Sequence, residues 1–165
     1  MEEDDMGARA EALAKRFEEA AKAVTDVVAR LSDADWKKMT AGEKWSVGVV
    51  AHHIAMGHQG ISNLVKAVAG GKPVPTMTMA TLDQMNAQHA KEWAQCTKAE
   101  TLELHKKNAA AAAGIVRGLS DVELDRSGTV LTGMPPMTAQ QVVERVLINH
   151  VNEHLGSIRA AVGAK

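Results

Sequence analysis

The stretch that decides the fold is LINHVNEHLGSI, residues 147–158. Its apolar residues recur every three or four positions, which is the period of an α-helix that buries one face. Turning by about 100° per residue from Leu147 places His150 about 60° and His154 about 20° from the centre of that face. The two histidines are four residues apart, so they lie one helical turn apart and point toward the core.

Two inward imidazoles need partners, because a buried polar group without one costs about 1–3 kcal/mol. A divalent metal ion would satisfy one nitrogen on each ring. The alternative is a pair of core histidines hydrogen-bonded to neighbouring side chains or to water. The His-x-x-x-His spacing is common on helices, so the pair alone does not decide between the two interpretations.

A third histidine on another helix favours the metal. The second predicted helix starts after Ser46, its N-cap, and its apolar face centres on Ile54. Measured from that residue, His52 lies about 160° away, His53 about 100° and His58 about 40°. We therefore expect His52 to face solvent. Angle alone leaves His53 and His58 open and slightly prefers His58.

The rest of the chain also has the helical period. The predicted helices cover residues 7–31, 46–70, 81–119 with a break near Cys96, and a last helix from residue 138. Their predicted N-terminal caps are Thr81 with Gln84, Thr97 with Glu100, and Thr138 with Gln141. The one candidate strand is 127–132. We predict an all-α fold, a four-helix bundle with short extra helical turns, in one domain across residues 1–165.

Composition limits the function classes. Hydrophobic residues make up 45% and charged residues 24%, and 19 Lys and Arg nearly balance 20 Asp and Glu. That balance offers no surface for nucleic acid or an anionic membrane. The single Cys96 excludes an intrachain disulfide, and the acidic start at residues 1–5 is unlike a signal peptide, so we expect a cytoplasmic protein. No His-Glu-x-x-His, Glu-x-x-His, Walker or Gly-x-Ser-x-Gly motif occurs.

Three segments resemble the DinB/YfiT-like superfamily: WSVGVVAHHIA at 45–55, LDQMNAQHA at 82–90 and NHVNEHLGSIRAA at 149–161. Together they cover the chain from about residue 40 to 161. The resemblance implies a four-helix bundle of that type, with a metal ion near one end of its core. One ligand comes from the second helix and two, four residues apart, come from the last.

Carried over to this chain, the resemblance implies the ligands His53, which immediately precedes Ile54, His150 and His154. His58 and His89 are candidates for holding a ligand ring or a water beside the ion. The related mycothiol-dependent maleylpyruvate isomerases keep a carboxylate in place of the first last-helix histidine. This chain therefore looks more like the three-histidine branch.

Three neutral imidazoles leave a divalent ion its full charge and an open position, and zinc or nickel suits them. Such an ion lowers the pKa of a bound water toward ~7 or holds a thiol as thiolate. The resemblance favours the thiol, since relatives transfer or isomerise small molecules with low-molecular-weight thiols such as mycothiol or bacillithiol. We expect a metal-dependent thiol S-transferase or isomerase acting on small electrophiles, and a homodimer. The alternatives are a metal-dependent hydrolase using bound hydroxide and a non-catalytic metal-binding stress or sensor protein.

Overall fold

The computed structural model describes residues 7–74 and 77–163 and consists mainly of helices. In chain order the elements are α1 (Ala8–Ala29), α2 (Asp33–Trp36), α3 (Val47–Ala69), α4 (Met79–Glu92), α5 (Lys98–Arg117), α6 (Asp121–Asp125), β1 (Ser127–Gly128), β2 (Met137–Thr138), α7 (Ala139–Val142), a π-helical segment (Val143–Ile148) and α8 (Asn149–Val162). The predicted all-α class with short extra turns is confirmed. The acidic residues 1–5, on which the expectation of a cytoplasmic protein depends, lie outside the described ranges.

Four long helical stretches form the bundle: α1, α3, α5 and the last helix, which runs through α7, the π-helical segment and α8. Large apolar side chains from these helices meet in a continuous core, among them Phe17, Ile54, Val116 and Leu147, all without solvent exposure. Removing that apolar surface from water supplies the main stabilisation of the fold. Small residues at the contacts, such as the fully buried Ala112, let the helices approach closely.

Helix α4 lies outside this bundle. None of the residues Met79–Glu92, all of which the structure describes, is buried, and the helix packs against α3. The expected third principal helix is therefore two helices, of which only α5 joins the core. The homodimer expected from the sequence stays a prediction.

Most helix starts follow the predicted capping chemistry. The Ser46 hydroxyl accepts a hydrogen bond from the Val49 N–H, and Thr97 accepts from Glu100. Thr138 and Gln141 form the reciprocal capping box. The prediction for Thr81 is wrong.

The N-cap of α4 is Thr78, whose hydroxyl accepts a hydrogen bond from the Thr81 N–H at 3.1 Å. A threonine stands at both positions, and capping at Thr78 adds three residues to the helix.

Two short features complete the fold. The strands β1 and β2 pair antiparallel, with Ser127 opposite Thr138, so the expected strand at 127–132 is only two residues long. The π-helical segment Val143–Ile148 was not predicted, since its apolar residues also satisfy the ordinary helical period.

Among the described residues, no helix has the length and apolar character needed to cross a bilayer.

Candidate metal centre

Helices α3 and α8 bring three histidines together at one end of the bundle. His53, His150 and His154, called here the triad, each offer one ring nitrogen, and these nitrogens lie within 4.8 Å of one another. The Nε2 atoms of His53 and His150 are 2.9 Å apart. The three ring centroids are separated by 4.5–4.8 Å. The sequence predicted these three residues as the ligands, and as a metal site they stay a prediction.

The loop at residues 37–46, between α2 and α3, places a carboxylate beside the triad. The Nδ1 of His154 lies 3.3 Å from Oε2 of Glu43, whose side chain is only 11% exposed. A carboxylate can only accept, so Nδ1–H of His154 donates, and in the neutral form of the ring Nε2 has the free lone pair. A carboxylate behind a histidine ligand is the arrangement that fixes the ring and raises its basicity in metal sites.

A glycine in the middle of α3 makes room for His150. The ring of His150 lies directly on Gly57: a Cβ added there would come within 2.5 Å of Cε1 and 2.9 Å of Nδ1 of His150. A real Cβ atom is essentially never found so close to a neighbouring atom. Only glycine at position 57 therefore lets α8 bring this ring so close to α3.

Burial keeps His53 and His150 neutral. Burial, together with the smaller repulsive effect of a positive charge on His150 or His154, lowers the pKa of His53 to about 3. Burial, followed by the effect of His154, also lowers the pKa of His150 to about 3. At neutral pH both rings therefore hold a free lone pair, which is the form that binds a metal ion.

Two side chains flank the ring of His53. Trp45 contacts it edge-on with centroids 5.3 Å apart, and His89 of α4 does the same at 5.5 Å. Trp45 also reaches toward His89, at 6.5 Å. His89, predicted from the sequence as a support for the site, thus lies beside a triad member, and its Nδ1 is buried without a hydrogen-bond partner.

The prediction that His52 faces solvent is wrong. His52 is 3% exposed, because α4 covers that side of α3. Its Nδ1 lies 2.8 Å from Nε2 of His89, and its ring stacks on Trp93 with centroids 4.3 Å apart. Burial lowers the pKa of His52 to about 4. The helical-wheel argument failed because it counted only the neighbours in the bundle and not the outer helix.

His58 and His105, called here the buried pair, lie inside the bundle. His58 has no exposed surface and His105 is 2% exposed. Nε2 of His105 lies 2.9 Å from the carbonyl oxygen of Ala21, and Nδ1 of His105 lies 2.9 Å from Nε2 of His58. Phe17 meets the His58 ring edge-on at 5.2 Å. His58, the other predicted support, thus bonds to His105 and not to a triad member.

The triad fits a divalent ion. Its donors are three imidazole nitrogens, the set that zinc and nickel prefer. Tetrahedral zinc with bonds of about 2.0–2.1 Å places its ligand nitrogens about 3.3 Å apart. The separation between the His53 and His150 Nε2 atoms, 2.9 Å, and the 4.8 Å limit for the whole set bracket that value.

Sequence reasoning missed Glu43 and Gly57. Glu43 lies in a turn 111 residues before His154, and no local pattern connects the two. Gly57 did leave a signal, because a glycine inside a helix costs about 1 kcal/mol relative to alanine and so suggests a close packing contact. Neither can be assigned from spacing alone.

Two surface clefts lie away from the triad. One of about 370 Å³ runs between α1 and α5 above His105, and one of about 560 Å³ lies between α2 and the turn containing Cys96. Neither is lined by a triad histidine. Burial raises the pKa of the Cys96 thiol, whose Sγ lies 3.4 Å from the Gly48 carbonyl oxygen, so this thiol is not activated.

Comparison with known proteins gives one family and two structures. The sequence model of the family described as mycothiol maleylpyruvate isomerase N-terminal domain matches residues 17–160. Two crystal structures of mycothiol-dependent maleylpyruvate isomerase, one of them a mutant, align with TM-scores of 0.72 and 0.73 at 13% and 12% identity. The alignments cover 90% of this chain and 60% of each matched chain. No curated protein matches the chain.

At these identities the structural likeness concerns the fold. It confirms the predicted helical bundle of the DinB/YfiT-like type. The chain spans about 60% of the length of the structures that it matches.

Proposed function

This chain belongs to the mycothiol maleylpyruvate isomerase N-terminal domain family, and on that premise we propose that it is a metal-dependent enzyme. The enzyme either transfers a low-molecular-weight thiol to small electrophiles or uses the thiol to isomerise them. Membership confirms the resemblance to the DinB/YfiT-like superfamily, which includes this domain. The observation that carries the proposal is the convergence of three histidine ring nitrogens within 4.8 Å of one another.

In this proposal His53, His150 and His154 hold one zinc or nickel ion. The ion, when bound, supplies a Lewis acid that favours the deprotonated form of a thiol at neutral pH. Three uncharged ligands leave its positive charge undiminished, which suits an anionic partner better than a site with a carboxylate ligand. The thiol and the electrophile are the small-molecule substrates.

The remaining residues orient the ligands. Glu43 accepts a hydrogen bond from Nδ1–H of His154, so Nε2 is the nitrogen of this ring that would bind the ion. Gly57 sets the depth at which His150 lies against α3. Trp45 and His89 restrict the His53 ring from two sides.

The test uses protein purified without a histidine tag and loaded with zinc or nickel. Mycothiol, bacillithiol and glutathione are each supplied with a fluorogenic electrophile, and mycothiol also with maleylpyruvate. We expect thiol-dependent turnover with at least one thiol, and its loss both on chelation and in His154→Ala. Metal-loaded protein that turns over no thiol with any electrophile would contradict the enzymatic proposal.

A second candidate function is metal binding without turnover. It is favoured by the side chains placed against the triad, since Trp45 and His89 lie edge-on to the His53 ring from two sides. Under this alternative the loaded protein binds zinc or nickel tightly and has no thiol-dependent or hydrolytic activity. The same assays, read beside the bound metal content, separate the two candidates.

A further inference from the structure

The hydrogen bonds of the buried pair determine which nitrogen carries each proton. The carbonyl oxygen of Ala21 can only accept, so Nε2 of His105 must donate to it across 2.9 Å. Burial lowers the pKa of His105, so the ring is neutral at neutral pH and its Nδ1 has a lone pair and no proton. Nδ1 of His105 therefore accepts from Nε2–H of His58, 2.9 Å away.

The series of hydrogen bonds from the Ala21 carbonyl through His105 ends at Nδ1 of His58, which carries no proton. Burial lowers the pKa of His58 to about 3, so this ring is also neutral, and its single proton is already on Nε2. Nδ1 of His58 is then an acceptor, and it is buried without a hydrogen-bond partner. A buried acceptor without a hydrogen-bond partner is unfavourable, so a donor is expected beside it.

His150 offers the matching donor. Its Nε2 faces His53, so a metal ion bound by the triad would take that nitrogen and leave the proton of the neutral ring on Nδ1. Nδ1 of His150 is buried and also without a hydrogen-bond partner. The ring lies on Gly57, the residue directly before His58 on α3.

We infer that His58 is a positioning residue for the metal ligand His150. Nδ1 of His58 accepts a hydrogen bond from Nδ1–H of His150, directly after a small ring rotation or across one bound water. His105 and the Ala21 carbonyl hold His58 in the required tautomer. The inference rests on the proposed metal site and extends it through α3 into the core. A ligand held in this way is fixed in tautomer and orientation, as partners of metal-bound histidines generally achieve.

The first experiment uses the wild-type protein, with ¹⁵N-labelled histidine and long-range ¹H–¹⁵N NMR spectra before and after zinc is added. We expect His58 and His105 to carry their protons on Nε2 in both states. On zinc loading, His150 should carry its proton on Nδ1, and this proton should exchange slowly with water. A proton on Nδ1 of His58 in either state would overturn the inference, whatever the activity of the protein.

The second experiment compares two substitutions that replace different halves of the His58 ring. His58→Gln keeps a donor near the Nε2 position and loses the acceptor at Nδ1, whereas His58→Asn keeps an acceptor near Nδ1. We expect His58→Gln to weaken zinc binding about tenfold or more and His58→Asn to weaken it by less than about threefold. Far-UV circular dichroism verifies that both variants fold, and the wild-type spectra decide the matter if they do not.

The outcomes separate this inference from the proposed function. Zinc binding that is weakened by His58→Gln in a protein without thiol turnover supports the inference and contradicts the enzymatic proposal. Equal zinc affinity in wild type, His58→Gln and His58→Asn overturns the inference and leaves the enzymatic proposal intact. Wild-type protein that binds neither zinc nor nickel overturns both.

Discussion

The triad and the buried pair are built from the same side chain, and both take residues from α3, but their nitrogens are used differently. In the buried pair the hydrogen bonds run in one direction and end on a backbone carbonyl, so His105 has no lone pair left to offer. In the triad two Nε2 atoms face each other across 2.9 Å, and only one proton fits between them. A histidine cluster is therefore a candidate ligand set when its lone pairs converge, whatever its burial.

The largest expected effect is loss of the ion when a triad histidine is removed. His53→Ala should reduce zinc affinity more than about a hundredfold, because one of three protein ligands is lost. His52→Ala, at the adjacent position, should retain close to the wild-type metal content. Isothermal titration and elemental analysis measure both. Equal losses of zinc affinity in the two variants would mean that the convergence of ring nitrogens does not identify the ligands.

The second prediction concerns acid stability of the metal-free protein. The pKa values of His53, His58 and His150 are about 3 in the folded protein, against 6.5 in the unfolded chain. Below pH 6.5 the unfolded chain gains protons that the folded protein does not. The free energy of unfolding should therefore fall as the pH decreases from 6.5 toward 3, by up to about 1.4 kcal/mol per pH unit for each histidine.

Urea denaturation in the presence of a chelator, from pH 8 to 4, measures this slope. Bound zinc should add stability at pH 7.5, and most of that addition should persist at pH 5, because His53 and His150, with folded-state pKa values of about 3, are still unprotonated there. A metal-free protein whose stability is unchanged between pH 7 and 5 would show that neither cluster is buried in its neutral form.

Third in size is the effect of filling the space under His150. Gly57→Ala places a methyl group where the His150 ring lies, so the ring must move and zinc affinity should fall about tenfold or more. Gly60→Ala is the matched control, since no other atom lies within 4 Å of its added Cβ. It should leave zinc affinity unchanged and stabilise the helix by about 0.5–1 kcal/mol. Unchanged zinc affinity in Gly57→Ala would mean that close contact with α3 is not needed for His150 to bind.

The smallest expected effect is at Glu43. Glu43→Gln keeps the shape of the side chain and replaces a charged acceptor for His154 by a neutral one, so zinc affinity should fall about three- to tenfold. Glu153→Gln, at an exposed residue bonded to Asn149, is the control and should have no effect. A larger loss than in Gly57→Ala would indicate that Glu43 itself binds the ion.

Much of this architecture follows from residues close together in the sequence. The periods that predicted α1, α3 and α8 are local, and so are the caps at Ser46 and Thr138. The inward positions of His150 and His154 likewise follow from the helical turn. The grouping of these two with His53, across a separation of 97 residues, came from the family resemblance and not from geometry.

The features that sequence reasoning did not reach depend on distant contacts. His52 is buried because α4 folds back over it, and Glu43 reaches His154 from a turn that has no motif. The π-helical segment ends two residues before His150, and its composition is that of an ordinary apolar helix. For His52 and Glu43 the deciding neighbour is far away in the chain, so a single sequence does not reveal the contact.

The position of α4 outside the core has a consequence for hydrogen exchange. No side chain of α4 is buried among the described residues, yet this helix carries His89, which lies against both His52 and the triad. Opening α4 breaks few apolar contacts, whereas opening α3 requires the whole bundle to unfold. Amide protons of α4 should therefore exchange with solvent at a free energy well below that of α3. Exchange from α4 then measures how often the triad is uncovered, in a protein whose bundle stays folded.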